Sequence, residues 1–266
     1  MPLLPVNHPI GIPFIELSSI DSTNNYAFEQ IHANVAQPGT CYFAHEQTHG
    51  KGQRSKSWIS EKGANIILSI VLKPFFLQPF QQFHLSACIA TAAYQFLTNY
   101  APEYLTIKWP NDLYWQNKKL GGILIENIIG GMNHDKKKLR ETNQSSNWKW
   151  AVIGIGININ QTKFPCELKN AVSLKQITGK DFNVIQLAKD LCGTIDLFYK
   201  RLMSGKPGSN LKLYNQLLYK KNEPVNFKKG NRNFVAIIKS VNENGQLIIQ
   251  HSIEEKIDFG QIEWVV

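Results

Sequence analysis

Two nearly continuous apolar runs constrain the fold of this chain more than any other feature. They occupy residues 65–72 (NIILSIVL) and 150–160 (WAVIGIGININ). Runs of this kind are typical of buried strands. Further strands are predicted at residues 40–46 and 104–108, and a hairpin is predicted with its turn at Asn117–Lys118. A central sheet is therefore the expected core of the protein.

Amphipathic stretches separate and follow these strands. Apolar residues recur there at three- and four-residue steps, which is the period of a helix with one buried face. The predicted helices are 21–33, 79–101, 183–203 and 211–221. Asp21 or Ser22 is expected to cap the first of them. The polar stretch at 131–149 lacks apolar periodicity and is predicted to be a mobile loop.

After Pro224 the pattern changes to short strands, with a strong hairpin signal at Asn244–Gly245. Strands thus alternate with helices first, and antiparallel strands come last. The prediction is an α/β (α+β) protein in which a mixed sheet carries helices on one face and a small β-barrel follows. The expected domain boundaries are 1–220 and 221–266.

The composition narrows the class of protein without selecting a partner. The 266 residues carry a formal net charge of +9, which favours a nucleic acid, a nucleotide, a membrane surface or an acidic protein. No run reaches the roughly 18 apolar residues of a membrane span, and the proline-rich N-terminus lacks signal-peptide features. The four scattered cysteines argue against a zinc site and a disulfide framework and favour a reducing, cytoplasmic compartment.

A basic, glycine-containing loop at residues 49–56 (HGKGQRSK) is the first segment with chemical content. Its two glycines allow close approach of the backbone to a ligand, and Lys51, Arg54 and Lys56 favour phosphate or carboxylate. The spacing is not that of a P-loop. By composition alone, a solvated basic surface loop explains the segment equally well.

Three further segments carry polar or glycine residues at strand ends or within strands. Residues 108–112 (KWPND) follow a strand, residues 118–126 (KKLGGILIE) form the second arm of the hairpin, and residues 154–160 (GIGININ) place two glycines in an apolar strand. Taken singly, they are explained by an Asx-type turn, a solvated lysine turn and a tightly packed core strand. A dinucleotide fingerprint is excluded because the third glycine and the following helix are missing.

In their order and spacing, these segments resemble the biotin–protein ligase family. The resemblance includes residues 21–24 (DSTN), 46–58 (EQTHGKGQRSKSW), 108–126 (KWPNDLYWQNKKLGGILIE) and 154–158 (GIGIN), and it extends over about 200 residues and the C-terminal β module. It implies a class II synthetase-like mixed sheet, shared with lipoate ligases, and a small C-terminal SH3-like barrel.

The resemblance implies a two-step reaction with ATP and biotin as substrates. The biotin carboxylate attacks the α-phosphate of ATP, giving biotinyl-5′-adenylate and pyrophosphate, and the amine of an acceptor lysine then attacks the mixed anhydride. Cations are needed in the first step because both reactants are anionic, and Mg²⁺ is expected to share that charge. The implied acceptor is the biotin carboxyl carrier protein domain of a biotin-dependent carboxylase.

The resemblance also implies roles for individual residues. Lys119 is expected to contact the carboxylate and the α-phosphate, Asp112 to orient or deprotonate the incoming lysine, and Lys51 to assist from the loop. The implied biotin contacts are Ser22, Thr23, Asn24, Gln47, Gly50, Lys51, Gly52, Gln53, Lys119 and Gly122. The implied nucleotide contacts are Arg54, Lys56, Trp58, Lys108, Asn111 and Asn158. No metal-ligating residue is predicted.

The loop departs from the arginine-rich family pattern GRGRRGR. Lys51, Gln53 and Lys56 stand at arginine positions and Ser55 at a glycine position, so bidentate contacts are lost and faster release of the adenylate is expected. Because the match starts at about residue 16, no N-terminal DNA-binding domain is expected.

The resemblance leaves the oligomeric state open between monomer and homodimer. ATP and an acidic acceptor account for the charge, so neither a nucleic acid nor a membrane is expected as partner. The alternatives are a lipoate or octanoate ligase of the same fold, a nucleic-acid-binding module, and an inactive ligase that only binds.

Overall fold

A computed structural model describes residues 8–130, 147–205 and 207–265. Most of the stretch predicted to be a mobile loop, residues 131–149, lies outside the described residues. The last two residues of that stretch are already part of a strand that begins at Trp148. The loop prediction is therefore too long by two residues at its C-terminal end.

A seven-stranded mixed sheet forms the centre of the protein. Its strands are β1 (Phe14–Leu17), β2 (Cys41–Ala44), β3 (Ile66–Leu72), β4 (Leu105–Lys108), β5 (Asp112–Trp115), β6 (Lys118–Ile129) and β7 (Trp148–Ile157). Their order is β1-β2-β3-β7-β6-β5-β4, in which β1 and β2 run parallel and all other neighbours are antiparallel. The two apolar runs of the sequence, β3 and β7, are adjacent at its centre.

Helices pack against the apolar side chains on both faces of this sheet. They are α1 (Thr23–His32), α2 (Gln82–Thr98), α3 (Leu174–Thr178), α4 (Val184–Met203) and α5 (Pro207–Gln216). Helices α2, α4 and α5 share one core with alternate strand residues such as Phe43 and Ile70. Helix α1 covers part of the opposite face, against the intervening residues Tyr42, Val71 and Val152. The remainder of that second face is left open.

The last predicted helix ends earlier than its apolar pattern indicates. Helix α5 stops at Gln216, and the backbone of residues 217–219 instead pairs with Ile107: the Ile107 amide donates to Leu217 O at 2.8 Å, and the Tyr219 amide donates to Ile107 O at 2.9 Å. Strand β4 is the edge of the sheet, so its outer backbone groups need partners. This backbone pairing ends the helix at Gln216, although the apolar residues continue at helical spacing.

A second sheet of five antiparallel strands follows, and it has the expected SH3-like character. Its strands are β8 (Pro224–Lys229), β9 (Arg232–Val241), β10 (Leu247–Gln250), β11 (Glu254–Ile257) and β12 (Glu263–Trp264), in the order β11-β10-β9-β8-β12. The predicted hairpin at Asn244–Gly245 joins β9 to β10, with Gly245 at φ +82°.

The C-terminal sheet is packed tightly against the rest of the chain. Its buried Phe227 and Ile238 belong to the same apolar core as the large sheet. The Trp109 indole donates to Gly245 O at 2.9 Å, and a Cβ atom on Gly245 would lie 2.7 Å from the Phe83 ring. Within the described residues, no helix is both long and apolar enough to cross a membrane.

Candidate active site

A cleft of about 1000 Å³ lies on the open part of the second face, between α1 and the C-terminal sheet. Three glycines of β6 and β7 form part of its floor. Gly122 is paired with Gly156, and Leu124 with Gly154, so all three glycines point to one face. The alternate residue Ile155 points into the core.

The two glycines of β7 are needed because other side chains occupy the space above them. A Cβ atom on Gly154 would lie 2.5 Å from Asn24 Oδ1, and one on Gly156 would overlap the Trp58 indole. Strand β7 therefore packs into the apolar core through one face only. On the other face, the absence of side chains lets Asn24 and Trp58 rest directly on the backbone.

A network of neutral side chains (Thr23, Asn24, Gln47 and Ser69), anchored by the Glu126 carboxylate, occupies the α1 end of the cleft. Gln47 Oε1 accepts hydrogen bonds from the Thr23 amide at 2.8 Å and the Thr23 hydroxyl at 3.0 Å. The Ser69 hydroxyl lies 2.7 Å from Thr23 Oγ1 and 2.6 Å from Asn24 Oδ1, and Asn24 Nδ2 donates to Glu126 at 2.6 Å. These bonds hold buried amides and hydroxyls in fixed orientations.

The N-terminus of α1 is capped differently from the sequence prediction. Ser22 is the N-cap residue, but its hydroxyl makes no capping hydrogen bond. Gln47 Oε1 accepts from the Thr23 amide in its place. The residue that caps the helix therefore comes from a distant loop, and it ties that loop to α1.

A Lys119–Asp112 ion pair with an N–O distance of 2.7 Å lies farther along the same floor. The backbone of Lys119 is fixed on both sides, because its amide donates to Asn170 O at 2.6 Å and its carbonyl accepts from the Val172 amide at 3.0 Å. The Asn158 side chain donates to Val172 O at 3.1 Å and reinforces this segment. A Cβ atom on Gly122 would lie 3.3 Å from Lys119 Nζ, so glycine leaves room for the ammonium group.

The basic loop folds back on itself beside this ion pair. Lys51 and Ser57 form an antiparallel bridge, and the Gly52 amide donates to Lys56 O at 2.6 Å. Arg54, at the tip, has a left-handed backbone with φ +56°. The fold of the loop brings three cations to the rim of the cleft.

Lys108 is enclosed by aromatic rings at the border with the C-terminal sheet. Its Nζ lies 4.8 Å from the ring centre of Tyr114, 5.8 Å from that of Tyr219 and 4.7 Å from that of Trp264. Burial lowers the pKa of Lys108 to about 8; the neighbouring Asp112 opposes this shift and nearby lysines reinforce it.

The comparisons with known proteins agree with one another. Residues 16–136 match the model of the biotin/lipoate A/B protein ligase family. The chain is 38% identical over 175 residues to the bifunctional ligase/repressor BirA of Bacillus spizizenii, a match that covers 64% of this chain and 49% of that protein. It is 28% identical over 239 residues to BirA of Escherichia coli, covering 88% of this chain and 68% of that protein.

Over residues 16–136 the chain is thus similar to the biotin/lipoate A/B protein ligase family. It spans about half the length of the Bacillus relatives that it matches. The same fold is found in the biotin protein ligase from Aquifex aeolicus in complex with biotin and ATP, with a TM-score of 0.76, 24% identity and coverage of 95% of this chain and 98% of that chain. A Leishmania major biotin protein ligase in complex with biotinyl-5-AMP gives a TM-score of 0.57 at 21% identity, covering 96% and 100%.

Nearly all residues implied by the ligase resemblance line the one cleft. They are Ser22, Thr23, Asn24, Gln47, Lys51, Gly52, Gln53, Arg54, Lys56, Trp58, Lys108, Asn111, Asp112, Lys119, Gly122 and Asn158. Gly50 is the exception, because it lines the smaller cavity beneath the basic loop. Asn111 and Asn158 are buried and donate to backbone carbonyls, so their amide nitrogens support the fold of the cleft.

The sequence prediction missed several residues in and around the cleft. Ser69 belongs to the neutral network and Glu126 anchors it. Ser69 is a lone polar residue in an apolar stretch, and Glu126 and Asn127 interrupt another apolar stretch, so both positions carried a signal that could have been used. Phe259 and Trp264 line the cleft, and Tyr219 contacts Lys108 at its border, although all three lie far along the chain from the motifs. No local pattern distinguishes these aromatic residues from ordinary core residues.

The lowered pKa of Lys108 predicts how stability depends on pH. Below about pH 8, Lys108 is protonated in both the folded and the unfolded chain. Between about pH 8 and pH 10.5, Lys108 keeps its proton only in the unfolded chain. The unfolded chain then binds more protons, so the free energy of unfolding rises with pH. Burial raises the pKa of the Cys41 and Cys88 thiols, which acts in the opposite direction but equally in both proteins. We therefore expect urea titrations to show the free energy of unfolding of the wild type rising relative to that of Lys108→Met from pH 8 to about pH 9.5.

Buried tyrosines also oppose the Lys108 effect, at higher pH. Burial raises the pKa of Tyr114, so the folded chain keeps this proton at a pH where the unfolded chain releases it. Stability therefore falls above about pH 10, the opposite sign to the Lys108 effect. Equal slopes for the wild type and Lys108→Met below that pH would contradict the assignment.

Proposed function

We propose that this protein is a biotin–protein ligase. It forms biotinyl-5′-adenylate from biotin and ATP, releases pyrophosphate, and transfers the biotinyl group to a lysine of a biotin carboxyl carrier protein domain. The similarity of residues 16–136 to the biotin/lipoate ligase family supports this proposal, and the chemistry of the cleft favours biotin and ATP.

One observation carries this proposal: a neutral hydrogen-bonding network and a group of cations share one cleft floor. The network lies over Gly154, and the Lys119–Asp112 pair lies beside Gly122, which is paired with Gly156. The two points are two residues apart along the strand, or about 7 Å. Neutral donors and acceptors suit the ureido ring of biotin, and the cations suit its carboxylate and the phosphates of ATP.

In the first step, two mutually repelling anions must meet. Lys119 presents a compact positive charge at the point where the carboxylate oxygen attacks the α-phosphorus, and Lys51, Arg54, Lys56 and Lys108 offset the charge of the triphosphate. The Lys119 backbone is hydrogen-bonded on both sides and its ammonium group is held by Asp112, so the ammonium group needs little rearrangement.

In the second step, the acceptor amine attacks the biotinyl carbonyl and AMP leaves. Asp112 is placed to orient that amine, since its carboxylate lies beside Lys119 and is partly exposed to the cleft. An attacking ammonium group would displace Lys119 as the partner of Asp112 and lose its proton there.

The described residues do not form a cage for Mg²⁺. No group of three or more His, Cys, Asp or Glu side chains is placed to hold a metal within that part of the chain, and Asp112 is already paired with Lys119. Mg²⁺ enters this proposal only as the usual counter-ion of ATP, carried on its phosphates.

The proposal also implies an acceptor protein and a cellular compartment. The acceptor is a protein domain with an exposed lysine, and an acidic surface on it would complement the net charge of +9. Cys41, Cys88, Cys166 and Cys192 are all free thiols, which suits a reducing cytoplasm.

The test is the exchange of labelled pyrophosphate into ATP, measured with biotin, lipoate and octanoate in parallel. We expect exchange with biotin alone, followed by label transfer from biotin to a purified carrier domain. Exchange with lipoate or octanoate instead would assign the protein to the other branch of the family. The absence of exchange with all three acids would leave a binding protein and refute the proposal.

A further inference from the structure

The tip of the basic loop is in contact with the C-terminal sheet. The Arg54 guanidinium carbon lies 5.1 Å from the centre of the Phe259 ring. A Cβ atom on Gly260 would overlap the same guanidinium group, so that group occupies the place of a side chain at position 260. Arg54 and Gly260 both have left-handed backbones, with φ +56° and +93°. Two unusual conformations thus meet at one contact.

The segment that receives Arg54 is a well-fixed turn, which we call the Phe259 turn (residues 258–261). The Gln261 amide donates to Asp258 O at 3.1 Å, and the Asp258 amide donates to the Gln261 side chain at 3.0 Å. Gln246 Nε2 in turn donates to Asp258 Oδ1 at 2.9 Å, which ties the turn to the neighbouring hairpin. The turn is therefore a rigid surface for the arginine.

The Phe259 ring also contacts the second basic segment of the site. Its centre lies 5.8 Å from that of the Trp109 ring, at an interplanar angle of 75°. Trp109 follows Lys108 directly, and its indole is anchored to Gly245 of the C-terminal sheet at 2.9 Å. Phe259 thus lies between the loop that carries Arg54 and the strand end that carries Lys108.

A ring contact positions a guanidinium group without using its hydrogen bonds. The flat face of the group packs on the ring, while its N–H groups point outward in the plane and stay available for an anion. Among the described residues, Arg54 is in no ion pair with a carboxylate. Its position is thus fixed by an uncharged surface at the rim of the cleft.

We infer that Phe259 and Gly260 are positioning residues for ATP, which hold Arg54 toward the triphosphate. This inference rests on the proposed function for the identity of the ligand. The C-terminal sheet then contributes to nucleotide binding through Arg54. The biotin end of the cleft should not depend on the contact, because its network contains no residue of the C-terminal sheet.

The first experiment measures KM for ATP and for biotin in pyrophosphate exchange. We expect Phe259→Leu to raise KM for ATP about threefold to tenfold, the range of a partly exposed cation–π contact, with KM for biotin unchanged. Phe259→Tyr, which keeps the ring, should restore the wild-type value. Gly260→Ala should act like Phe259→Leu. Gly230→Ala should not, since Gly230 is another left-handed glycine of this sheet, with no atom within 4 Å of its added Cβ.

A double-mutant cycle distinguishes positioning from general damage to the cleft. Combined with Arg54→Met, Phe259→Leu should add less than about a twofold change in KM for ATP, because the residue being positioned is already gone. An equal increase with and without Arg54 would overturn the inference. So would an increase in KM for biotin as large as that for ATP.

A second readout needs no enzymatic activity. In the ligand-free protein, trypsin should cleave after Arg54 faster in Phe259→Leu than in the wild type, because the side chain is freed from the Phe259 turn; mass spectrometry identifies the cut. Unchanged cleavage after Arg54 would overturn the inference. Faster cleavage in a protein that shows no exchange would refute the proposed function and still support the contact.

Discussion

Replacing Lys119 with methionine is expected to lower biotin-dependent pyrophosphate exchange about 100- to 1,000-fold, the usual effect of removing one preorganised electrostatic donor. Two effects act in the same direction. The positive charge between carboxylate and phosphate is lost, and the partner carboxylate of Asp112, 2.7 Å away in the intact protein, is left uncompensated in the cleft. Stability should change by at most about 1 kcal/mol, because the ion pair is partly exposed.

The adjacent lysine supplies the matched control. Lys118 is exposed and lies at the start of the same strand, so Lys118→Met removes an equal charge one residue away. We expect its exchange rate to stay within about twofold of the wild type, as is usual for an exposed surface site. The double variant Lys119→Met/Asp112→Asn should recover part of the loss, because the uncompensated carboxylate is removed as well.

Similar rates for Lys118→Met and Lys119→Met would mean that only the overall charge matters and that Lys119 has no special role. Full activity of Lys119→Met would rule out the assigned first step altogether. Circular dichroism and urea titration of each variant show whether a loss of rate reflects a loss of folded protein.

Gly154→Ala is expected to raise Kd for biotin about 10- to 100-fold, which corresponds to the loss of one or two well-placed hydrogen bonds. The added methyl carbon would lie 2.5 Å from Asn24 Oδ1, so Asn24 must move. Its movement breaks contacts to Ser69 and Glu126, which hold the neutral network together. The overpacking should also lower the free energy of unfolding by about 1–3 kcal/mol.

Two other glycines show whether the effect is local. Gly156→Ala, two residues along the same strand, pushes on Trp58 instead of Asn24, so it should weaken ATP binding more than biotin binding. Gly193→Ala, in the middle of α4, meets no atom within 4 Å. It should leave both affinities unchanged and raise stability by up to about 1 kcal/mol. Titration calorimetry with each ligand would measure all three variants.

Parallel losses of biotin and ATP affinity in Gly154→Ala and Gly156→Ala would show that the two ends of the cleft are not separate. Biotin affinity that survives Gly154→Ala would remove the neutral network from the biotin site. Either result would redirect the search for biotin contacts to the remaining cleft residues.

The sequence by itself determined the order and type of nearly every element. These signals are local: continuous apolar runs identified the buried strands β3 and β7, hydrophobic period identified the long helices α2 and α4, and the Asn244–Gly245 turn residues identified the last hairpin. The motifs also identified in advance most of the residues that line the cleft. The resemblance supplied their proposed roles, because no local pattern distinguishes Lys119 from Lys118.

Only the tertiary structure decided which polar groups are hydrogen-bonded to one another and which aromatic residues surround Lys108. Gln47 caps a helix that begins 24 residues away, and Trp109 is bonded to Gly245 across 136 residues. The end of α5 was decided by the unpaired edge of β4, and the pKa of Lys108 by burial among rings from three segments. All of these depend on groups that folding brings together from distant parts of the chain, and burial, backbone pairing and desolvation act only after that has happened.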